Sequence, residues 1–222
     1  MAVLAGRTHQ GRIEAGDSLI GAASAVDTGR VKGRLAAFMS AHRALAKGQT
    51  AVDKEELTLG TRRAVVAERD VDQDEVVERV VAALIGDGLP RSNPFKSLST
   101  YTPTKLKALA HAAEAKALTA IVTRARKRKD LSAKTLSALN AAEKAAKGVV
   151  AALGAVAPAQ QKVDAARSRR DAMVQSWETS FAALKRGARA AEDDGAKGLF
   201  GALFVSTAPA KKPAKKKPAP VA

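Results

Sequence analysis

The chain has 222 residues, a formal net charge of +16, 46% hydrophobic residues and only 3% aromatic residues. It is long enough for one or two domains, and its core must be built mainly from Ala, Val and Leu, which suits closely packed helices better than a β-sandwich. Cysteine is absent, which excludes disulfides and thiolate metal sites. Because no apolar run approaches the roughly 20 residues of a membrane span and the N-terminus lacks a signal-peptide pattern, we expect a cytoplasmic protein without a transmembrane segment.

The positive charge is concentrated in the second half of the chain. Residues 1–90 contain 12 Lys and Arg against 13 Asp and Glu, whereas residues 91–222 contain 26 against 9, an excess of 17 positive charges. Such asymmetry indicates an anionic partner for the second half. It also allows the two halves to attract each other within the fold.

The first part of the chain predicts helices that follow a short lead-in. Residues 1–17 contain three glycines and little periodicity, so we expect them to be flexible. Residues 18–88 repeat apolar side chains every three or four positions, which predicts a helical hairpin or one bent helix. Its first helix runs from about residue 20 to residue 58 and carries the apolar seam Val31, Leu35, Phe38, His42, Leu45, Gln49 and Val52.

A glycine divides this region. The succession Leu59, Gly60 and Thr61 predicts the end of one helix followed by the N-cap of the next. A single glycine does not force the chain to reverse, so one continuous helix remains the alternative. The turn residues from Gly86 to Pro90 then predict a firm end to the region.

A linker is predicted between the two parts of the chain. Residues 89–102 are rich in Pro, Ser and Asn. Thr102 and Pro103 then supply an N-cap and a proline at the first helical position. Residues 103–205 should therefore form a helical hairpin, whose first helix ends in the cations of residues 124–129; cations suit a helix C-terminus.

The longest apolar seam lies on the second helix of this hairpin. It advances by three and four residues without slipping, as in a helix wrapped against partner helices. Gly154 and Pro158 fall within it; because the spacing continues undisturbed, we expect a kink here and not a break. The seam consists of Leu139, Ala142, Ala146, Val149, Leu153, Val156, Gln160, Val163, Arg167, Arg170, Val174, Trp177, Phe181, Leu184, Ala188 and Ala191.

These seams predict an all-α protein. The expected architecture is an elongated up-and-down helical bundle or antiparallel coiled coil with one long kinked helix, followed by a disordered basic tail in residues 206–222. Apolar seams also allow association between copies of the chain, so we expect that homo-oligomers can form.

Polar side chains interrupt the seams and suggest a structural polar layer. The interrupting residues are Asp70, Gln73, Gln160, Arg167 and Arg170. A buried arginine without a carboxylate is costly, so pairing of the arginines with Asp70 or its neighbour Asp74 is one interpretation. The other is that the seam opens to solvent and the arginine stems extend to water. Either arrangement would set helix register and would not perform chemistry.

Signatures of catalysis or cofactor binding are missing from the sequence. His9, His42 and His111 are scattered without a partner at metal-ligand spacing, so we expect no metal site and interpret His42 as a hydrogen-bonded core or edge residue. Phosphate-binding glycine loops and nucleophile elbows are absent. We therefore expect a protein that is not an enzyme and uses no cofactor.

Two clusters of cations are candidate contacts for nucleic acid or another polyanion. The first is a helix end with Arg124, Arg126, Lys127, Arg128 and Lys129, and the second is a C-terminal tail with Lys211, Lys212, Lys215, Lys216 and Lys217. The prolines of the tail keep it extended, so its lysines can follow phosphates without folding. No aromatic residue lies among these cations, so base stacking is not indicated.

The tail resembles the Lys/Ala/Pro extensions of linker histones and of some bacterial nucleoid and polyester-granule (phasin-like) proteins. The resemblance is compositional and covers about fourteen residues, from Pro209 onwards. A tail that only keeps the protein in solution would have the same composition.

The function we expect is that of a non-enzymatic helical scaffold or interaction protein whose basic C-terminal half associates non-specifically with nucleic acid or another polyanion. The alternative is a phasin-like or membrane-surface coat protein. In that case amphipathic helices and the apolar patch at residues 199–205 would bind an apolar interface.

Overall fold

The computed structural model describes residues 8–205, and within that range the protein is all-α without a β-strand, as predicted. No helix in this part of the chain is long and apolar enough to cross a membrane. The helices are α1 (His9–Ala23), α2 (Lys32–Gly86), α3 (Pro103–Lys107), α4 (His111–Ala125), α5 (Ala133–Gly154), α6 (Val156–Asp193) and α7 (Leu199–Phe204), and a 3-10 turn at Gly29–Val31 precedes α2.

The chain folds into two compact units. Unit 1 contains the described residues up to Val52 and from Ala166 onward, and unit 2 contains Asp53–Ala165. Helices α2 and α6 each contribute residues to both units. The segment predicted as a linker, residues 89–102, lies within unit 2.

The core of unit 1 is aromatic at its centre. Trp177 and Phe181 of α6 stack with ring centroids 5.0 Å apart, and Phe38 of α2 meets Trp177 edge-on at 5.6 Å. Phe204 of α7 packs edge-on against Phe181 at 5.6 Å. The core otherwise consists mainly of Leu, Val and Ala, as the composition predicted, and these aromatic side chains add large apolar surfaces and ring contacts that stabilise a small unit.

The beginning of the chain is more helical than the sequence predicted. Residues 9–17 belong to α1 and not to a flexible lead-in. The Thr8 side chain accepts a hydrogen bond from the Gly11 amide at 3.0 Å and caps α1. The predicted start of a helix near residue 20 is also wrong, because α1 ends at Ala23 and α2 starts only at Lys32.

Helix α2 passes through Gly60 without interruption. The predicted stop and restart at this point is wrong, and the alternative of one continuous helix is correct. Thr61 does not cap a new helix; its hydroxyl donates to the Leu57 carbonyl at 3.0 Å. Leu59 is buried against Ala159 and Val163 of α6 within unit 2. A single glycine costs a helix only about 1 kcal/mol, which such packing offsets.

The predicted stop after Gly86 is confirmed. Gly88 adopts a left-handed conformation with φ 88°, and the Leu89 amide donates to the Leu84 carbonyl at 3.0 Å, which closes the helix end. The following segment is packed: Phe95 and Leu98 are buried with side chains of α4 and α5 in the core of unit 2. Its prolines and polar residues therefore shape a core-covering loop.

The predicted kink in the long helix takes the form of a one-residue interruption. Helix α5 ends at Gly154 and α6 begins at Val156, while Ala155 between them keeps a right-handed helical backbone. Pro158 is the third residue of α6. Its missing amide proton costs little there, because the first amides of a helix have no partner within the helix. The apolar seam continues past this point, with Leu139, Val149, Val163, Trp177 and Leu184 all buried.

Candidate polyanion-binding surface

The cation cluster at the end of α4 is partly used for structure. Arg124 donates to the Leu98 carbonyl at 2.7 Å and so holds the 89–102 segment against α4. Arg126 pairs with Glu143 of α5 at 2.6 Å and also donates to Asn140 at 2.7 Å. These two guanidinium groups therefore connect elements of unit 2.

The α4–α5 turn leaves two lysines to solvent. Arg128 forms a two-point contact with Asp130, with distances of 3.0 and 2.5 Å, and this hydrogen bonding lowers the pKa of Asp130. Lys127 and Lys129 are exposed. They take part in none of the ion pairs recorded among residues 8–205. Of the five predicted cations in this cluster, these two lysines are thus the most available to an external anion.

The N-terminus of α5 is already occupied by acceptors from the protein itself. Ser132 caps the helix by accepting from the Thr135 amide at 3.3 Å. The Asp87 carboxylate accepts from the Ser132 amide at 2.9 Å, and this backbone hydrogen bond is the main cause that lowers the pKa of Asp87. A phosphate would have to displace these groups, so the exposed lysines of the turn are the better contacts.

A second group of cations lies on α6 in unit 1. Lys185, Arg186 and Arg189 line a cleft of about 400 Å³ together with Asp193 and Phe200. The Arg189 guanidinium lies 4.7 Å from the centroid of the Phe200 ring, a cation–π contact. These three cations were not among the predicted contact residues. The helical spacing of the three cations was a visible signal, but the aromatic partner comes from a separate element.

The tail lysines lie outside the described residues. Lys211, Lys212, Lys215, Lys216 and Lys217, with the predicted disorder of residues 206–222, therefore remain sequence predictions.

The residues of the predicted polar layer are divided between the two units, and their partners lie within each unit. Arg170 donates to Gln49 at 3.0 Å and contacts Asp171 at 2.8 Å, whereas Asp70 pairs with His111 at 2.6 Å. Gln160 accepts from Arg63 at 3.2 Å. Gln73 is fully buried, and Arg167 is exposed. The predicted pairing was of Arg167 and Arg170 with Asp70 or Asp74, whereas Arg170 and Asp70 each have a separate partner.

His42 is a hydrogen-bonded core residue, as predicted. The Trp177 indole nitrogen donates to its Nδ1 at 3.3 Å, and Nε2 lies 2.9 Å from an Asp17 carboxylate oxygen. Because Nδ1 accepts, the proton of the neutral ring is on Nε2, where it can donate to Asp17. The ring is closed in by α1, so this arrangement orients side chains of the unit 1 core. Within residues 8–205, no group of three or more His, Asp or Glu could hold a metal ion.

A groove between α2 and α5 is a further concave surface of unit 2. Its volume is about 660 Å³. Small and aliphatic residues line it together with charged side chains of both signs: Val65, Val76, Ala141, Ala145 and Gly148, with Arg69, Arg79, Lys144, Asp72 and Glu75. Self-association through helical seams stays a prediction.

The chain was also compared with protein-family models, with curated proteins and with solved structures, and none of the three comparisons finds a match.

Proposed function

We propose that this protein is a non-enzymatic helical scaffold protein whose basic C-terminal half associates with nucleic acid or another polyanion. The observation that carries the proposal is the charge excess of that half. Residues 91–205 alone contain 21 Lys and Arg against 9 Asp and Glu, an excess of 12 before the five tail lysines are added. The positive charge is therefore not confined to the tail.

The available cations suit phosphate contacts that do not depend on sequence. Lys127 and Lys129 extend from the α4–α5 turn, and the α6 cleft adds two arginines and a lysine. Each phosphate that such a side chain neutralises releases condensed counterions, so affinity falls as salt rises. Contacts of this kind position a protein on nucleic acid but carry no sequence information, so we expect little discrimination between sequences.

A charge-neutralisation experiment tests the proposal. Lys127→Gln combined with Lys129→Gln should weaken binding to a duplex DNA probe, measured by fluorescence anisotropy at about 100 mM salt. The matched control is Lys47→Gln combined with Lys54→Gln, which removes the same charge from two exposed lysines of α2 in the part of the chain without a positive excess. The freshly purified protein should also carry nucleic acid, seen as an ultraviolet absorbance ratio that changes after a high-salt wash.

Two outcomes would contradict the proposal. Equal weakening by both double substitutions would mean that only total charge matters and that the turn is not a binding surface. Absence of any binding at about 100 mM salt would exclude association with nucleic acid.

The alternative, a phasin-like or membrane-surface coat, loses its predicted contact patch. Leu199, Leu203 and Phe204 are buried in the core of unit 1, Phe200 is half-buried, and Ala202 and Val205 are exposed. Co-sedimentation with lipid vesicles that persists at high salt would favour the coat function, whereas binding that salt abolishes favours the polyanion.

A further inference from the structure

Unit 2 buries a carboxylic acid at the contact between α4 and α2. Glu114 lies in the first turn of α4 and is only 1% exposed. Gln73 of α2, which neighbours this carboxyl, is 0% exposed. None of the ion pairs recorded among residues 8–205 includes Glu114. A buried carboxylate without a paired cation is costly, and a proton removes that cost.

The cations near this contact are already paired with other carboxylates. Charged groups approach from three elements: Asp70, Asp74 and Glu78 from α2, Lys107 from α3, and His111 from α4 itself. Lys107 bonds to Glu78 at 2.6 Å, and His111 lies 2.6 Å from Asp70. Asp74 and Glu114 are left as two neighbouring carboxyl groups, and two adjacent carboxyls resist holding two negative charges.

The lack of hydrogen-bond partners also favours a protonated carboxyl at this contact. Glu114 Oε1, Asp74 Oδ1 and both polar atoms of the Gln73 amide are buried without a hydrogen-bond partner. Burial and, to a smaller extent, the negative charges of Asp74 and Asp70 together raise the pKa of Glu114 to about 7, against an opposing effect of the neighbouring Gln73 amide. A hydroxyl proton on one carboxyl would donate to the other and satisfy one of the orphaned oxygens.

We infer that Glu114 holds a proton beside the Asp74 carboxylate, and that loss of this proton loosens the packing of α4 against α2 in unit 2. This proton on Glu114 acts as a structural ligand whose occupancy depends on pH. When it leaves, a negative charge is confined beside Asp74, and the first turn of α4 must open to bring water to the carboxylates. Unit 2 is thereby a proton-sensitive element at near-neutral pH.

Amide hydrogen exchange on the full chain tests this inference. In the wild type, raising the pH from 6 to 8 should increase the opening equilibrium of residues 111–118 by up to about tenfold, after correction for intrinsic exchange rates. Glu114→Gln, which has the same shape and no titratable proton, should remove this dependence. Glu75→Gln replaces an exposed acid of α2 and should leave the dependence unchanged.

A direct titration keeps the inference testable if Glu114→Gln does not fold. Carbon-13 NMR of the side-chain carboxyls in the wild-type protein should show one glutamate with a midpoint near neutral pH, and Asp74→Asn should lower that midpoint. The inference is overturned if every glutamate titrates below pH 5, or if wild type and Glu114→Gln open to the same extent at both pH values.

Discussion

Replacing Gly16 by alanine tests how α1 packs in unit 1. A Cβ at this position would lie 2.2 Å from Nδ1 and 2.4 Å from Cε1 of His42. The His42 ring is buried and bonded to Trp177 and Asp17, so it cannot move aside without losing those bonds. Gly21 lies in the same helix, and a Cβ there would meet no atom within 4 Å. Gly21→Ala is therefore a matched control.

The two substitutions share one energy contribution and differ in another. Each gains roughly 0.5–1 kcal/mol because alanine forms helix more readily than glycine. Only Gly16→Ala also overpacks a buried ring, which costs about 1–3 kcal/mol. Gly21→Ala should thus raise the free energy of unfolding by about 0.5–1 kcal/mol, and the two variants should differ by about 1–3 kcal/mol.

Urea denaturation followed by tryptophan fluorescence provides the assay. Trp177 is the only tryptophan and lies buried in the core of unit 1, so its emission reports the unit that the substitution disturbs. If Gly16→Ala is as stable as Gly21→Ala, the His42 ring does not lie on α1 and the packing described for unit 1 is incorrect.

Three further experiments probe unit 2, each followed by circular dichroism in urea. Gly60→Ala should stabilise by roughly 0.5–1 kcal/mol, because Gly60 has no positive φ and open space around it; a loss of stability would indicate a left-handed helix end. A double-mutant cycle between Asp70 and His111, both partly exposed, should give a coupling of about 0.2–1 kcal/mol, and no coupling would contradict their contact. Since the pKa of Glu114 is raised from 4.5 to about 7, the folded state holds more protons between those values. Stability should fall by up to about 3 kcal/mol as pH rises through this interval and stay level above it, and Glu114→Gln should remove the fall.

Regular spacing made much of the fold predictable from the sequence. Most apolar side chains of the seam from Leu139 to Ala191 are buried, because a regular three-and-four repeat keeps one helix face apolar regardless of what packs against it. The stop at Gly88 and the N-cap at Thr102 were also predictable, since each depends on one residue and its nearest neighbours along the chain.

Features that depend on distant residues were not predictable. Gly16 suggested flexibility in the sequence, but the structure shows it as the site where the His42 ring approaches α1. Gly60 suggested a helix end, yet the buried contacts of Leu59 keep α2 continuous. The spacing also placed Asp70 and Arg170 on helix seams, but it could not identify their partners. The partner of Asp70 is His111, 41 residues away along the chain, and Arg170 contacts Gln49, 121 residues away.

For the candidate site, only the excess of cations could be predicted from the sequence, and not which of them are available to an external anion. The cations of residues 124–129 were visible in the sequence, but local acids such as Glu143 and Asp130 engage two of the three arginines. The α6 cleft was not found because it combines cations of α6 with Phe200 of α7.

The salt dependence of DNA binding tests the proposed function most directly. The full chain and a variant lacking residues 209–222 would be titrated with a duplex probe at several salt concentrations, and the logarithm of affinity plotted against the logarithm of salt. Each neutralised phosphate should steepen the slope by about 0.9, so removal of the tail should flatten it by roughly 2 to 4. Lys127→Gln and Lys129→Gln in the truncated protein should flatten the slope that is left still further. The proposal is contradicted if neither protein binds at about 100 mM salt. Equal affinity and slope for the two proteins would show that the tail takes no part in binding.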